Sequence, residues 1–215
     1  MDFSIIRRPF KYTNFNAVYW LIGINVLIFA LTQFFGYEFR NYMMIHLSMI
    51  PAAVMDGWVW TFFTYMFMHA NLSHVFFNMF GLFIFGIQVE RQMGSKEFLL
   101  FYLLTGTLAG IFSFLMYYLT GNLMVFLVGA SGALYAVQLA YAVLFPNAII
   151  YLWGILPLRA PVMVLGFTVL SLFFIITGGG GNVAHLTHLA GFGFGWLYFM
   201  LRFGVSPWRR LTGRQ

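Results

Sequence analysis

Six long apolar segments constrain the fold of this chain more than any other feature of its sequence. A helix that crosses a bilayer needs about 20 mainly apolar residues. Segments that approach or reach that length lie at 17–35, 73–91, 98–119, 129–145, 160–177 and 184–202. Only 7% of the residues are charged, against roughly 25% in a soluble domain. The segments also lack the two-residue alternation of membrane β-strands, so we expect an all-α, polytopic membrane protein with a bundle of six transmembrane helices.

The basic residues predict how this bundle is oriented. With six spans, only Arg40 falls on one side of the membrane and ten basic residues fall on the other. The ten are Arg7, Arg8, Lys11, Arg91, Lys96, Arg159, Arg202, Arg209, Arg210 and Arg214. Because positive charge is retained on the cytoplasmic face, we expect a cytoplasmic N-terminus at 1–16, a six-span domain at 17–202 and a basic cytoplasmic tail at 203–215.

Two further function classes are disfavoured by the same composition. The basic residues are scattered at helix ends and form no single surface, which argues against a nucleic-acid partner and leaves the lipid bilayer as the expected surroundings. The chain contains no cysteine, so disulfide and thiolate chemistry are excluded.

Two connections are too long to be simple turns. Residues 36–72 mix charged side chains with many aromatic residues and methionines, a composition suited to the membrane interface, and we expect them to lie in the outer leaflet. Residues 146–161 hold an apolar stretch too short to span, which we expect to lie along the membrane surface. Residues 120–122 and 178–182 are predicted to form short turns.

Polar residues inside three of the predicted spans fall at one depth. His74 and Asn78 lie near the start of the second span, Ser131 near the start of the fourth, and His185 with His188 near the start of the sixth. All even-numbered spans run from outside to inside in the predicted topology, so these residues converge near the outer face. Polar groups within a bilayer are expensive to bury and mark candidate functional sites.

Small residues predict a close contact between the fourth and sixth spans. Gly191 and Gly195 follow His188 at i+3 and i+7, and Gly132 begins a stripe that two alanines continue at intervals of four residues. Small side chains let two helix backbones approach closely. Such a contact would bring Ser131 within reach of His188, the arrangement of a serine activated by an imidazole base.

The expected catalytic unit is a Ser131–His188 dyad. None of the five acidic residues is predicted to reach the depth of His188, so no carboxylate is available to complete a triad. Tyr135, one turn below Ser131, is expected to pack against the imidazole ring and orient it. His185 stays open as the alternative base, although the glycine stripe favours His188.

Donors for an oxyanion are also expected at this depth. His74 and Asn78 share one helix face, and the backbone N–H groups of Ala130 and Ser131 lie at the start of the fourth span. Gly129 and Gly132 would let the backbone approach the reacting carbonyl without a side-chain clash.

A different class of function also fits the histidines. His69, His74, His185 and His188 could act as metal ligands in a metal-binding membrane protein or transporter. No carboxylate accompanies them to offset the charge of a metal ion. The favoured interpretation therefore includes no metal and no other cofactor.

The three motifs together resemble those of the rhomboid intramembrane serine proteases. The similarity extends over about residues 58–196. Its parts are residues 69–78 with Glu90, Arg91 and Gly94 on the second span, residues 129–132 with Tyr135 on the fourth, and residues 188–191 with Gly195 on the sixth. Many members carry Trp-Arg in the long first connection, whereas Thr61 follows Trp60 here. The anchoring that the resemblance implies for this connection is therefore in question, and the dyad is not affected.

The resemblance implies a nucleophile at Ser131, a general base at His188 and oxyanion contributors at His74 and Asn78. It also implies cleavage of single-span or multi-span membrane proteins near the outer face, without metal or ATP, in a six-span bacterial-type core of the inner membrane. A substrate helix would have to unwind locally, and the fifth span is the expected gate for lateral entry. A rhomboid-like protein that only binds membrane proteins remains an alternative.

Overall fold

The chain folds into a helical bundle whose main helices lie within a few residues of the predicted spans. A computed structural model describes residues 7–152, 154–177 and 182–213. The first to sixth span helices are Ala17–Phe34, Leu72–Met93, Ser95–Leu119, Ser131–Leu144, Ala160–Thr177 and Asn182–Tyr198. The first, second, third and fifth are long and apolar enough to cross a bilayer by length and composition.

Two of the span helices include a wider turn. The second consists of Leu72–Gly81, a π-helical turn at Leu82–Gly86, and Ile87–Met93. The sixth continues into a π-helical turn at Phe199–Phe203. The predicted short turn at 178–181 lies outside the described residues.

Shorter elements occupy the two long connections and the C-terminal region. Helices at Gly36–Leu47, Pro51–Met55 and Thr61–Thr64 and a 3₁₀ turn at Tyr65–Phe67 follow the first span. Strands Ile149–Leu152 and Leu156–Arg159 form an antiparallel hairpin between the fourth and fifth spans. Helix Pro207–Leu211 follows the sixth span.

The hairpin was not predicted from the sequence. Its first strand begins with isoleucines followed by a tyrosine, which are residues that favour strands. Pro157 pairs with Tyr151 in a sheet of only two strands, where both strands are edges and a proline is tolerated. A short apolar run can form either element, so periodicity alone could not distinguish them.

The fourth span helix lies at the centre of the bundle and is short. Ten of its 14 residues are buried, whereas the fifth span helix buries four of its 18. A rise of about 1.5 Å per residue gives the fourth helix a length of roughly 21 Å, less than the roughly 30 Å of a hydrocarbon core. The helix is therefore too short to cross the hydrocarbon core by itself, and non-helical chain leads into it at Ser131.

The chain that enters this helix is non-helical and is held by the first long connection. Leu127 and Met49 exchange backbone hydrogen bonds of 2.9 and 3.1 Å, and the N–H of Gly129 donates to the carbonyl of Tyr65 at 3.0 Å. Irregular backbone is tolerated at membrane depth where other parts of the protein satisfy its polar groups. This packing fixes the position of the chain just before Ser131.

A buried carboxylate completes the start of the first span helix. Glu90 accepts the N–H groups of Ala17 at 2.6 Å and Val18 at 3.0 Å, and it also accepts the Ser95 hydroxyl. Asn16 precedes the helix with a left-handed φ of 56° and makes no side-chain cap. Because the first amides of a helix have no partner within it, Glu90 serves as the cap.

A second buried carboxylate joins the third and sixth span helices. Arg202 donates to the two carboxylate oxygens of Glu97 at 2.7 and 2.9 Å. The Tyr198 hydroxyl and the N–H of Phe10 donate to the same carboxylate. Glu90 and Glu97 thus fasten the end of the bundle that carries both chain termini, which we call the termini end.

Candidate active site

The site lies at the end of the bundle opposite the termini end, where the fourth and sixth span helices meet. Ser131 is the first residue of its helix, and His188 lies in the second turn of the sixth. The Nε2 atom of His188 is 2.9 Å from the Oγ atom of Ser131. Both residues are partly exposed, so the pair is accessible from outside the protein.

The imidazole ring is oriented by stacking. The Tyr135 ring lies 4.2 Å from the His188 ring, with 12° between their planes, which is the contact expected from the sequence. Phe192 packs on the other side of Tyr135, with ring centroids 4.9 Å apart. The Nδ1 atom of His188 is buried and has no hydrogen-bond partner among the described residues, so nothing in that part of the chain completes a triad.

Polar groups of the second span helix lie against the chain that leads into Ser131. A β-carbon placed on Gly129 would lie 2.6 Å from His74 Nε2 and 3.8 Å from Asn78 Nδ2. Gly129 has a φ of 111°, a conformation that favours glycine. The absence of a side chain at Gly129 therefore makes room for the His74 ring two residues before the serine, and the expected approach of this backbone to the reacting carbonyl stays a prediction.

Asn78 is buried within its helix, and its amide donates to the carbonyl of His74 at 2.9 Å. The helix that carries both residues is capped by Asn71, whose side chain accepts the N–H of His74 at 2.8 Å. Ala130 is also buried and immediately precedes the fourth helix. The amides at a helix start lack intrahelical partners, so backbone donors lie on the same side as His74 and Asn78.

The close contact between the fourth and sixth helices is present. A β-carbon on Gly191 would meet the backbone carbonyl of Gly132, and one on Gly195 would lie 3.2 Å from Ala136. A β-carbon on Gly132 would meet Ala109 at 3.0 Å and Thr187 at 3.3 Å. Gly132 is therefore packed between three helices, and its expected role beside the reacting carbonyl stays a prediction.

Sequence reasoning missed two groups that support the site. The hydroxyls of Ser113 and Thr187 lie 2.5 Å apart and join the third span helix to the residue before His188. The Tyr65 hydroxyl donates to the Gly106 carbonyl at 2.7 Å. This bond fixes Tyr65, whose own backbone carbonyl accepts the N–H of Gly129. Hydroxyl residues within apolar segments indicated that such contacts could exist, but their partners are too distant in sequence to be identified from spacing.

The structure separates His185 from Ser131. Its ring stacks on Phe174 of the fifth span helix, with centroids 4.8 Å apart and 20° between the planes. It meets the His188 ring edge to face at 5.9 Å. No group of three or more histidines and carboxylates is placed to hold a metal ion within residues 7–152, 154–177 and 182–213.

The first long connection is anchored without an arginine at position 61. Trp60 stacks on Trp58 at 5.5 Å, and Trp58 stacks on His46 at 5.0 Å. The indole of Trp60 also donates to the His46 carbonyl at 3.0 Å. Arg40 donates to the carbonyl of Ala70 at 2.6 Å, so the connection is fastened by an aromatic column and by a different arginine.

This fold and site define a multi-pass membrane protein with a serine–histidine pair at one end of a helical bundle. Residues 56–205 match the family model described as the Rhomboid domain. The chain therefore belongs to the rhomboid family.

Three relatives in this family are similar to between 54% and 86% of the chain. The chain is 30% identical over 211 residues to RHOMBOID-like protein 12, mitochondrial, of Arabidopsis thaliana, and the match covers 86% of this chain and 59% of that protein. The chain is 34% identical over 140 residues to the Putative rhomboid protease YdcA of Bacillus subtilis, and the match covers 64% of this chain and 66% of that protein. The chain is 31% identical over 118 residues to the Rhomboid protease GlpG of Haemophilus influenzae, and the match covers 54% of this chain and 56% of that protein. The chain thus spans between 56% and 66% of the length of these relatives.

Proposed function

We propose that this chain is an intramembrane serine protease that hydrolyses peptide bonds in or next to the transmembrane segments of other membrane proteins. The observation that carries the proposal is the 2.9 Å contact between Ser131 Oγ and His188 Nε2. Membership of a family that includes proteins named as proteases supports it. A hydroxyl in contact with an imidazole is the minimal unit for nucleophilic acyl transfer.

In the proposed reaction, Ser131 Oγ forms a bond to the carbonyl carbon of the substrate while its proton passes to Nε2 of His188. The developing oxyanion accepts hydrogen bonds from His74, Asn78 and the backbone N–H groups of Ala130 and Ser131. The C–N bond then breaks as His188 returns the proton to the leaving amine. Water, deprotonated by His188, hydrolyses the acyl ester and frees the serine.

The orientation of the His188 ring determines whether this transfer can occur. Oγ–H donates to Nε2 only in the tautomer that carries its proton on Nδ1. Stacking on Tyr135 keeps the ring plane fixed while the proton is exchanged. The surrounding helix contacts at Gly191 and Thr187 hold the backbone on either side of the base.

The fifth span helix is the proposed entry route for substrate. It buries four of its 18 residues, fewer than the helices beside it, so its displacement disrupts little packing. It touches the site through Phe167, whose ring is 6.0 Å from that of Tyr135, and through Phe174 against His185. Substrate segments with glycine or proline are expected to be preferred because they unwind readily.

The proposed orientation places both termini in the cytoplasm and the site towards the outer face of a bacterial plasma membrane. The charge asymmetry supports it, since ten basic residues lie on the side of the termini. A chain without cysteine allows a direct test with single-cysteine variants. A membrane-impermeant maleimide should label Asn122→Cys in intact cells and Thr212→Cys only after lysis, and the reverse pattern would invert the topology.

The activity is tested with purified protein in liposomes and a single-span reporter. Cleavage should be lost in Ser131→Ala and in His188→Ala, by more than about a thousandfold, because each change removes half of the dyad. Ser73→Ala is the matched control, since it alters an exposed serine at the same end of the protein. Cleavage that survives Ser131→Ala, or that a chelator abolishes and zinc restores, would reject the serine mechanism.

The same experiment tests the alternative that this chain only binds other membrane proteins without cutting them. Such a protein would retain the reporter in a pull-down without cutting it in any variant. The proposed protease should cut the reporter in the wild type and retain it uncut in Ser131→Ala.

A further inference from the structure

A long apolar groove runs along the sixth span helix and is also lined by Leu139 of the fourth. It has a volume of about 1020 Å³. Its floor includes Ala190 and Gly193, and the fifth span helix contributes Val164 and Leu165 to its wall. Ser131 and His188 are not among its lining residues, so the groove is distinct from the serine–histidine pair.

The part of the groove along the sixth span helix is about as long as one membrane leaflet is thick. Lining residues of the sixth helix extend from Leu186 to Leu197, and 11 steps of about 1.5 Å give roughly 16 Å. Half of a hydrocarbon core of roughly 30 Å is about 15 Å. An acyl chain of about that length would therefore fit along the groove.

Charged residues lie at the termini end of this groove. Trp208 and Leu211, on helix Pro207–Leu211, line the groove itself. Arg209 and Arg210, on the same short helix, line an adjoining cavity of about 640 Å³. The short helix thus presents apolar side chains to the groove and two arginines to the second cavity.

These two arginines lie where no carboxylate neutralises them. The ion pair found among the described residues joins Arg202 to Glu97, and the carboxylate of Glu90 is occupied by the start of the first span helix. Arg7 adds a further positive charge close to Gly204. A ligand with a negative headgroup and a long apolar chain would complement both parts of this surface.

We propose that the groove binds an anionic phospholipid, with an acyl chain along the sixth span helix and the phosphate beside Arg209 and Arg210. Basic pockets between membrane helices attract anionic headgroups, and each arginine near such a headgroup gives about a fivefold preference. The proposal does not depend on the protease activity, because none of the residues it uses contacts Ser131 or His188.

Gly193 allows the groove to be filled without disturbing the bundle. A β-carbon at this position meets nothing within 4 Å, and replacing a glycine in a helix with leucine favours the helix. Gly166 on the fifth span helix is equally open but is not among the groove-lining residues. The pair Gly193→Leu and Gly166→Leu therefore separates filling of the groove from the addition of an apolar side chain to the membrane surface.

Tryptophan fluorescence provides a direct readout of binding, since Trp196 and Trp208 line the groove. The protein is reconstituted in phosphatidylcholine vesicles that contain a small, equal mole fraction of brominated phosphatidylglycerol or brominated phosphatidylcholine. Bromine quenches tryptophan on contact. We expect stronger quenching by the brominated phosphatidylglycerol, and we expect Trp208→Phe to reduce that excess.

The variants decide between specific and general lipid contact. The preference for brominated phosphatidylglycerol should fall about fivefold in Arg209→Gln and disappear in the Arg209→Gln/Arg210→Gln double variant. It should be lost in Gly193→Leu and kept in Gly166→Leu. Equal quenching by the two lipids, an excess that survives the double variant or Gly193→Leu, or an excess lost in Gly166→Leu would each overturn the proposal.

Discussion

The backbone carbonyl of Gly132 occupies the space into which a β-carbon on Gly191 would project. This contact joins the helix of Ser131 to the helix of His188 and sets the separation of the two side chains. The substitution Gly191→Ala must push the helices apart, and overpacking of this kind costs about 1–3 kcal/mol. We expect a lower thermal unfolding temperature in detergent and loss of reporter cleavage.

Gly193→Ala is the control for this substitution, because a β-carbon there meets open space. Its stability should equal that of the wild type or exceed it by up to about 1 kcal/mol, which is the helix propensity gained. Wild-type stability and activity in Gly191→Ala would show that the two helices do not need this contact.

Replacing His185 should test the choice of base. The substitution His185→Phe keeps an aromatic ring against Phe174 and removes the ring nitrogens. We expect cleavage of the reporter to fall by less than about tenfold, whereas His188→Phe should abolish it. A loss in His185→Phe as large as that in His188→Phe would reverse the assignment, provided that both variants elute as folded protein.

The buried pair of Glu97 and Arg202 should dominate stability at the termini end. Their side chains are 1% and 13% exposed, so Arg202→Met leaves a carboxylate buried without its charged partner. Removing one member of a buried pair costs about 3–5 kcal/mol. Unfolding in detergent should show this loss, and the Glu97→Gln/Arg202→Met double variant should recover part of it.

Arg209→Met provides the comparison, because Arg209 is exposed and an exposed substitution changes stability by about 0.5 kcal/mol or less. If Arg202→Met is no more damaging than Arg209→Met, the ion pair contributes little to the fold.

The stability of the protein should decrease in mild acid because of His69. Burial, together with the neighbouring His74, lowers the pKa of His69 to about 3. The neutral ring is therefore favoured in the folded state, so its contribution is complete above the unfolded pKa of about 6.5 and is lost as the pH falls towards 3. Each pH unit in this window weakens folding by up to about 1.4 kcal/mol.

The measurement is the free energy of unfolding at several pH values for the wild type and for His69→Leu, which cannot titrate. The slope between about pH 6 and pH 4 should be smaller in the variant. His46→Leu serves as the control, since His46 lies in an exposed aromatic stack and not in the protein interior. Equal slopes in the wild type and His69→Leu would refute the assignment.

The length of each apolar segment was sufficient to predict the main helices, because a bilayer imposes one scale on all of them. The predicted fourth span at 129–145 corresponds to Ser131–Leu144. Its small residues predicted the close contact with the sixth span helix. The hairpin at Ile149–Leu152 and Leu156–Arg159 could not be predicted in this way, because an apolar run of that length fits more than one element.

The site was predictable as far as depth and helix faces determine it. Ser131 and His188 lie 57 positions apart, yet charge asymmetry and glycine spacing brought them together. The pairing of Ser113 with Thr187 was not predictable, because a hydroxyl can bond within its own helix as readily as across to another. Gly129 was predicted to lie at the site, but the close approach of the His74 ring to it became evident only from the folded chain.

The capping of the first span helix by Glu90 has a consequence for biogenesis. The amide of Ala17 lies 73 positions before its acceptor, so it leaves the ribosome long before that acceptor exists. We expect the first helix to keep its leading amides hydrated at the membrane boundary until the second helix has been inserted. We expect the N-terminal helix to acquire its final depth and tilt only at that step, as a late event in translation and not as the anchor that starts it.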